Sequence, residues 1–219
     1  MIVTIDGPAG AGKSSAAKAL ARRLGFRFLD TGAMYRAVAL AASRRGIDWD
    51  DPAALGDLAR RVNIEVRESR TLLDGQDVSR EIRTHAVTSL THYAASNPAV
   101  RARLVELQRS AAGDDNVVSE GRDQGTVVFP AAECKIFLTA SAEERARRRL
   151  RDLEARGEKL SLQEVLADQN RRDHRDATRD VGPLVVADDA ITVMTDGLSA
   201  DEVVHRLEAL VRARMPKTG

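Results

Sequence analysis

The chain has 219 residues, 43% of them hydrophobic and 31% charged. That is long enough to bury a core and too apolar for a disordered chain. Its 34 basic and 33 acidic side chains leave a net charge of +1, which excludes bulk attraction to nucleic acid or to an anionic membrane. The single cysteine, Cys134, excludes an intramolecular disulfide and a multi-cysteine metal site, and its apolar neighbours predict a buried thiol. No basic segment leads into an apolar signal core, and no apolar run reaches the ~18 residues of a membrane span. The expectation is a cytoplasmic protein. Lysine occurs only at Lys13, Lys18, Lys135, Lys159 and Lys217. Compositional bias explains most of this arginine excess, yet planar guanidinium forks also suit phosphate.

Ile2 to Asp6 is predicted as a strand that runs into a Gly-rich turn. Ser14 to Leu24 repeats apolar residues at helical spacing, with Gly25 in the C-cap region. Phe26 to Asp30 is a second strand, and Ala33 to Arg45 a second helix. Strand–helix alternation predicts a parallel sheet covered by helices. The pattern then changes. Asp51 to Arg61 reads as a helix and Asn63 to Glu68 as a strand. Thr71–Leu73 and Gln76–Val78 flank Asp74-Gly75, a hairpin signal. Antiparallel strands do not belong in a parallel core, so residues 50–97 are read as an inserted lobe. Pro98 opens a helix to about Ala112. Asn116 to Glu120 and Lys135 to Thr139 are further core strands. Ser141 with Glu144 suggests a capping box for an Arg-rich helix through Arg156, most of whose residues 145–151 read as a solvated face. Ser161 with Glu164 opens a helix to about Thr178. Ile191 to Thr195 is a last strand and Ser199 to Arg214 a last helix.

The strongest signal is Gly7-Pro-Ala-Gly-Ala-Gly-Lys-Ser14, which fits G-x-x-x-x-G-K-[ST]. Side-chain-free positions let backbone amides converge on a polyphosphate, and the next helix adds its positive end. Lys13 can reach the β- and γ-phosphates, and the Ser14 hydroxyl can ligate Mg²⁺. Such a loop identifies a nucleoside triphosphate, not its fate. No guanine-reading Asn-Lys-x-Asp occurs, and a short chain with an inserted lobe suggests a kinase for a small acceptor.

Phosphoryl transfer between two anions needs cations that cancel repulsion. Candidate segments are Asp30-Thr-Gly-Ala-Met-Tyr-Arg36, Pro98-Ala-Val-Arg101, Glu120-Gly-Arg-Asp123 and Arg171-Arg-Asp-His-Arg-Asp-Ala-Thr-Arg179. Open α/β sheets bind ligands at the carboxyl ends of their strands, where Arg36 and Arg122 are expected. Arg101 by itself reads equally as a surface residue. Gly121-Arg-Asp-Gln-Gly125 is poorly explained by packing, because a charged pair stands between glycines after a buried strand.

At these residues the chain resembles the bacterial cytidylate kinases. The matching segments include Ile5–Ser14, Leu29–Arg36, Asp77-Val-Ser-Arg-Glu-Ile-Arg83, Gly121–Pro130 and Arg172–Asp176. The resemblance implies an α/β, three-layer P-loop kinase fold with a central parallel sheet flanked by helices, plus an inserted NMP-binding lobe and a short lid. It divides a single kinase unit into a core (1–49, 98–147 and 161–219), an insert at about 50–97 and a lid at about 148–160. It implies ATP, bound by Gly7, Pro8, Ala9, Gly10, Ala11, Gly12, Lys13, Ser14 and Ser15, and Mg²⁺ on Ser14. Thr31, Arg36, Arg101, Arg122, Asp123, Arg172, Asp176 and Arg179 would bind CMP or dCMP. Within that set Arg36, Arg122 and Arg179 would hold the phosphate, Arg101 and Asp123 would read cytosine, and Arg172 and Asp176 would grip the ribose. Lys13, Arg122, Arg179 and the lid residues Arg148 and Arg149 would be catalytic. A monomer is implied. The chain departs from the family at His92, where Ser is usual, and at Glu120, where Asp is usual.

Overall fold

The computed structural model describes residues 1–67, 70–155 and 157–215. In chain order the elements are β1 (Ile2–Asp6), α1 (Lys13–Leu24), β2 (Arg27–Asp30), α2 (Thr31–Arg44), α3 (Pro52–Arg61), β3 (Ile64–Arg67), β4 (Arg70–Leu73) and β5 (Gln76–Asp77). They continue as α4 (His85–Ser96), α5 (Pro98–Ala112), β6 (Val117–Gly121), β7 (Cys134–Thr139), α6 (Ala142–Glu154), α7 (Leu162–Thr178), β8 (Ile191–Met194) and α8 (Ala200–Arg212). A 3₁₀ turn at Glu81–Arg83 precedes α4, and a π-helical turn at Gln124–Val128 follows β6. Contacts group the chain into two compact units, Met1–Phe26 with Val117–Gly219, and Arg27–Asn116.

In the first unit the strands run parallel in the order β6-β1-β7-β8. Val3, Thr4 and Ile5 of β1 and Val117, Val118 and Ser119 of β6 are fully buried. Both faces of these strands are therefore covered, as a parallel sheet requires. Fully burying an aliphatic side chain contributes about 1.5–3 kcal/mol, so these short runs anchor the unit. Register matters for the site. Asp6 lies opposite Gly121, so the segments that follow β1 and β6 leave the sheet from the same carboxyl edge. Helices α1 and α8 pack together, as do α6 and α7. Ala146, Leu153 and Val165 form the α6–α7 seam, with Leu150, Leu162 and Leu166 against it. Cys134 is fully buried on β7.

Capping explains where the late helices start. Ser161 and Glu164 form the full reciprocal box at α7, and Ser199 with Glu202 forms another at α8. The box expected at α6 is only half made. Ser141 accepts from the Glu144 amide, but the Ser141 N–H donates to Asp196 and the Glu144 carboxylate pairs with Arg148. Tertiary partners win here over the local pair. Helix α6 ends at Glu154, and its expected extension to Arg156 lies outside the described residues, as does Glu68 at the end of the expected third strand.

The second unit holds an antiparallel sheet of order β3-β4-β5. Asp74 and Gly75, with φ of 50° and 81°, make the primed turn that their types predict. Helix α2 packs on α4 and on β3 and β4, and α3 packs on α5. Met34, Leu55, Ile82 and Leu104 are among its fully buried side chains. Helix α4 has no counterpart in the sequence reading. Its run His-Ala-Val-Thr-Ser-Leu-Thr-His-Tyr is rich in β-branched and weak helix formers. The Thr84 cap and packing against α2 stabilise it instead. Among the described residues no helix is long and apolar enough to cross a membrane.

Candidate active site

Gly7 to Gly12 connect β1 to α1. Gly7 has φ of 147°, and a Cβ there would fall 2.0 Å from the Leu138 carbonyl oxygen, so any side chain collides with backbone. Gly12 caps α1 with φ of 87°, so the amides of Lys13, Ser14 and Ser15 open the first turn, a position that suits an anion. Pro8 and Ala11 are buried, whereas Gly10, Ser14 and Ser15 are exposed. Lys13 is buried and its Nζ donates to the Pro8 carbonyl at 2.7 Å. Burial pushes its pKa down to about 7. The neighbouring Arg122 pushes it the same way, while Glu120, Asp6 and Asp176 pull it back up. The Ser14 hydroxyl donates to Glu120 Oε1 at 2.6 Å, and Glu120 is buried. These two hard oxygen donors fit Mg²⁺, which binds few protein ligands and otherwise water and phosphate oxygens. Among the described residues no group of three His, Cys, Asp or Glu side chains could hold a metal by itself.

Beyond Gly121, Arg122 Nε donates to Asp176 Oδ2 at 2.8 Å and Nη1 donates to the Gly121 carbonyl at 3.2 Å. Burial works against the charge on Arg122, but Asp176 outweighs it and the guanidinium pKa rises. Burial likewise opposes charge on Asp176, and Arg122, Arg179 and Arg172 hold its pKa below the usual value. Asp123 and Arg179 are nearly excluded from solvent, with Arg179 Nη2 4.0 Å from Asp123 Oδ1. Arg172 is half-buried on α7. Burial, then Arg122, lowers its pKa, with Arg149 adding to the effect and Asp176 opposing it. The structure thus brings Lys13, Ser14, Arg122, Asp123, Arg172, Asp176 and Arg179 together within one unit.

Helix α6 carries the other cations. Arg148 lies beside the phosphate loop, its Nη1 3.9 Å from where a Cβ on Gly12 would stand. Its Nε pairs with Glu144 at 2.9 Å, while Nη1 and Nη2 donate to the Thr195 hydroxyl and carbonyl at 3.0 and 2.8 Å. Arg149 is half-buried. Arg145 corrects the solvated-face reading at that position, being buried with Nη1 on the Ala9 carbonyl at 2.9 Å and on Asp173 at 2.6 Å. Its Nε donates to the Ala140 carbonyl at 3.0 Å.

Thr31, Arg36 and Arg101 belong to the second unit. Thr31 is the buried first residue of α2. The Asp30 carboxylate accepts from Arg36 Nη2 at 3.1 and 3.2 Å, from Arg83 Nη2 at 2.8 Å and from the Ala33 amide at 2.9 Å. The Nε of Arg36 is buried with no hydrogen-bond partner among the described residues. Arg101 is buried, not a surface residue; its guanidinium lies 5.8 Å from the Tyr35 ring centroid and donates to the Ala95 carbonyl at 3.4 Å. His92 Nδ1 is 2.7 Å from the Ser89 carbonyl, so that nitrogen carries the proton. Its ring lies 4.1 Å from that of Tyr93, which in turn lies 5.1 Å from Trp49.

Sequence reasoning gave no role to Asp6, Asp30, Arg83 or Arg145. Asp30 stands one residue before α2, a capping position that spacing can find. Arg83 and Arg145 meet their partners at separations of 53 and 28 residues, which no local pattern encodes.

A nucleotide-binding loop alone does not need a second group of arginines held charged by their own carboxylates; transfer of phosphate to a second anion does. Fold and site together define a P-loop phosphotransferase. The chain belongs to the cytidylate kinase family, whose profile matches residues 3–213. It is 55% identical over 212 residues to the cytidylate kinase of Rhodopirellula baltica, covering 97% of this chain and 93% of that one. It is 52% identical over 215 residues to that of Mycobacterium leprae, covering 98% and 96%. In fold alone it is similar to the crystal structure of an uncharacterized protein from Eubacterium ventriosum, at a TM-score of 0.54 and 12% identity over 98% of this chain and 99% of that one.

Proposed function

We propose that the chain transfers the γ-phosphate of ATP to CMP or dCMP, giving CDP or dCDP and ADP. The observation that carries this reading is the grouping, in one unit, of a phosphate loop with buried Lys13 and a cluster where Asp176 accepts from Arg122 at 2.8 Å. An oxygen of the acceptor phosphate attacks the γ-phosphorus in line as the bond to the β-phosphate oxygen breaks, and the bonding pair leaves on ADP. The nucleophile is already anionic, so no general base and no covalent enzyme intermediate are needed.

The loop from Gly7 to Ser15 wraps the polyphosphate, with Lys13 neutralising charge as it moves toward the leaving oxygen. Ser14, with Glu120 beside it, would hold Mg²⁺, which would neutralise polyphosphate charge. Arg36, Arg122 and Arg179 hold the acceptor phosphate; the buried, unsatisfied Nε of Arg36 supports this role. Asp123 accepts from the cytosine N4 amine and Arg101 donates to the ring acceptors. Uracil presents O4 to the same carboxylate, so the site discriminates by unpaired polar groups. Arg172 and Asp176 grip the ribose, and Thr31 contributes to CMP binding. Residues 148–160, with Arg148 and Arg149, close over the donor and limit ATP hydrolysis, while residues 50–97 form the acceptor lobe. We read the enzyme as a cytoplasmic monomer.

Coupled ADP release with CMP, dCMP, UMP, AMP and shikimate tests the reading. CMP or dCMP should lead by at least about tenfold, which one lost buried hydrogen bond supplies. Equal turnover with UMP or AMP would refute it.

A further inference from the structure

The acceptor-reading loop, Arg122 and Asp123, follows a strand end, and something must hold its backbone. The sheet register sets Asp6, the residue before Gly7, opposite Gly121. From there the Asp6 carboxylate spans the gap: Oδ1 accepts from the Gln124 amide at 2.9 Å and Oδ2 from the Gly125 amide at 2.8 Å. Both amides begin the π-helical turn Gln124–Val128 and have no acceptor earlier in that turn. A second tie acts on the same residue. Ser119 Oγ, fully buried on β6, donates to Gln124 Oε1 at 2.7 Å. Approach is close: a Cβ on Gly125 would lie 3.0 Å from Thr4 Oγ1 and 3.4 Å from Asp6 Oδ2. Arg122 and Asp123 are thus pinned from the far side, by Asp6 and Ser119 acting through Gln124 and Gly125.

We propose that Asp6 is a positioning residue for acceptor binding, its carboxylate locking the Arg122–Asp123 loop to the start of the phosphate loop. This deepens the reading above and rests on Arg122 and Asp123 contacting the acceptor. Asp6 touches neither substrate in this role. A carboxylate is needed because it alone offers two acceptors to two adjacent amides. In Asp6→Asn one amide would face the Nδ2 hydrogens, donor against donor.

The test measures dissociation constants for CMP and for MgATP separately, by calorimetry, with kcat alongside. Asp6→Asn should weaken CMP binding about tenfold, the loss expected for a hydrogen bond to a charged group, and weaken MgATP binding clearly less, that smaller loss being the lost attraction of Asp6 for Lys13. Ser119→Ala, a small change remote from the phosphate loop in sequence, should weaken CMP a few-fold and leave MgATP unchanged; if Asp6→Asn does not fold, this variant decides alone. Unchanged CMP affinity in both variants overturns the proposal, and so does an equal loss of CMP and MgATP affinity, which means general damage to the phosphate loop. Arg122→Ala separates the two claims. If it weakens CMP binding while Asp6→Asn and Ser119→Ala do not, the role of Asp6 alone falls. If it leaves CMP binding unchanged, the acceptor reading falls as well.

Discussion

The phosphate loop and the arginine cluster bury positive charge in opposite ways. Lys13 is buried, donates to a backbone carbonyl and faces Arg122; burial first, then Arg122, lowers its pKa to about 7. Arg122 is half-buried, and a carboxylate 2.8 Å away raises its pKa further and balances its charge. The first cation depends on an incoming anion for its charge, whereas the second carries its counter-ion with it. The contrast teaches that the loop is built to respond to the donor, while the cluster is preorganised.

Removing either cation tests this difference, and the largest effect is expected at the loop. Lys13→Ala should lower kcat/KM by about 10³-fold or more, since several kcal/mol of transition-state charge stabilisation is lost; ADP release reports it. Arg122→Ala should reduce kcat by about 10²–10³-fold while MgATP binding stays within about threefold. A matching loss of MgATP affinity would erase the distinction between the two cations. Asp176→Asn should raise the KM for CMP by about tenfold, because it removes the ion-pair partner that holds Arg122 in place.

The smallest effect is a proton. With a folded pKa of about 7 against an ordinary 10.5, Lys13 is mostly neutral at pH 8. The sign follows from the depressed value. The penalty for burying Lys13 is absent above 10.5, grows as pH falls toward about 7, and is constant below. Polyphosphate restores the charge, so MgATP binding should be accompanied by net proton uptake at pH 8 and by less at pH 6. Calorimetry in buffers of different ionisation enthalpy measures this. Lys13→Arg, which stays charged, should show no uptake, and wild-type binding without proton uptake at pH 8 would contradict the buried-lysine picture.

The two regions were also unequally legible. The phosphate loop lies in eight consecutive residues, and each of its glycines has a local reason, the positive φ at Gly7, Gly10 and Gly12. The cluster joins Arg122 to a carboxylate 54 residues away. Its members were visible only as arginine-bearing segments, and no spacing told that Asp176 serves Arg122. Arg145 is the clearest failure: on a helix crowded with charge it reads as solvated, but the Ala9 carbonyl and Asp173 bury it. Helix α4 was missed because its propensity is poor and its stability is tertiary. The hairpin at Asp74-Gly75 was read correctly because a primed turn needs positive φ at both residues, a demand that falls on residue type alone.

From its sequence alone this chain determined what short-range physics decides: the phosphate loop, the helix caps at Ser161 and Ser199, the primed turn, and the alternation that makes a parallel sheet. Only the tertiary structure decided which carboxylate answers which arginine, that the Ser141 cap gives up half its box, and that Asp6 holds the amides of Gln124 and Gly125. Those contacts join residues 28 to 119 positions apart. They form because register and packing bring strand ends together, and a buried charge is tolerated only where that geometry supplies it a partner.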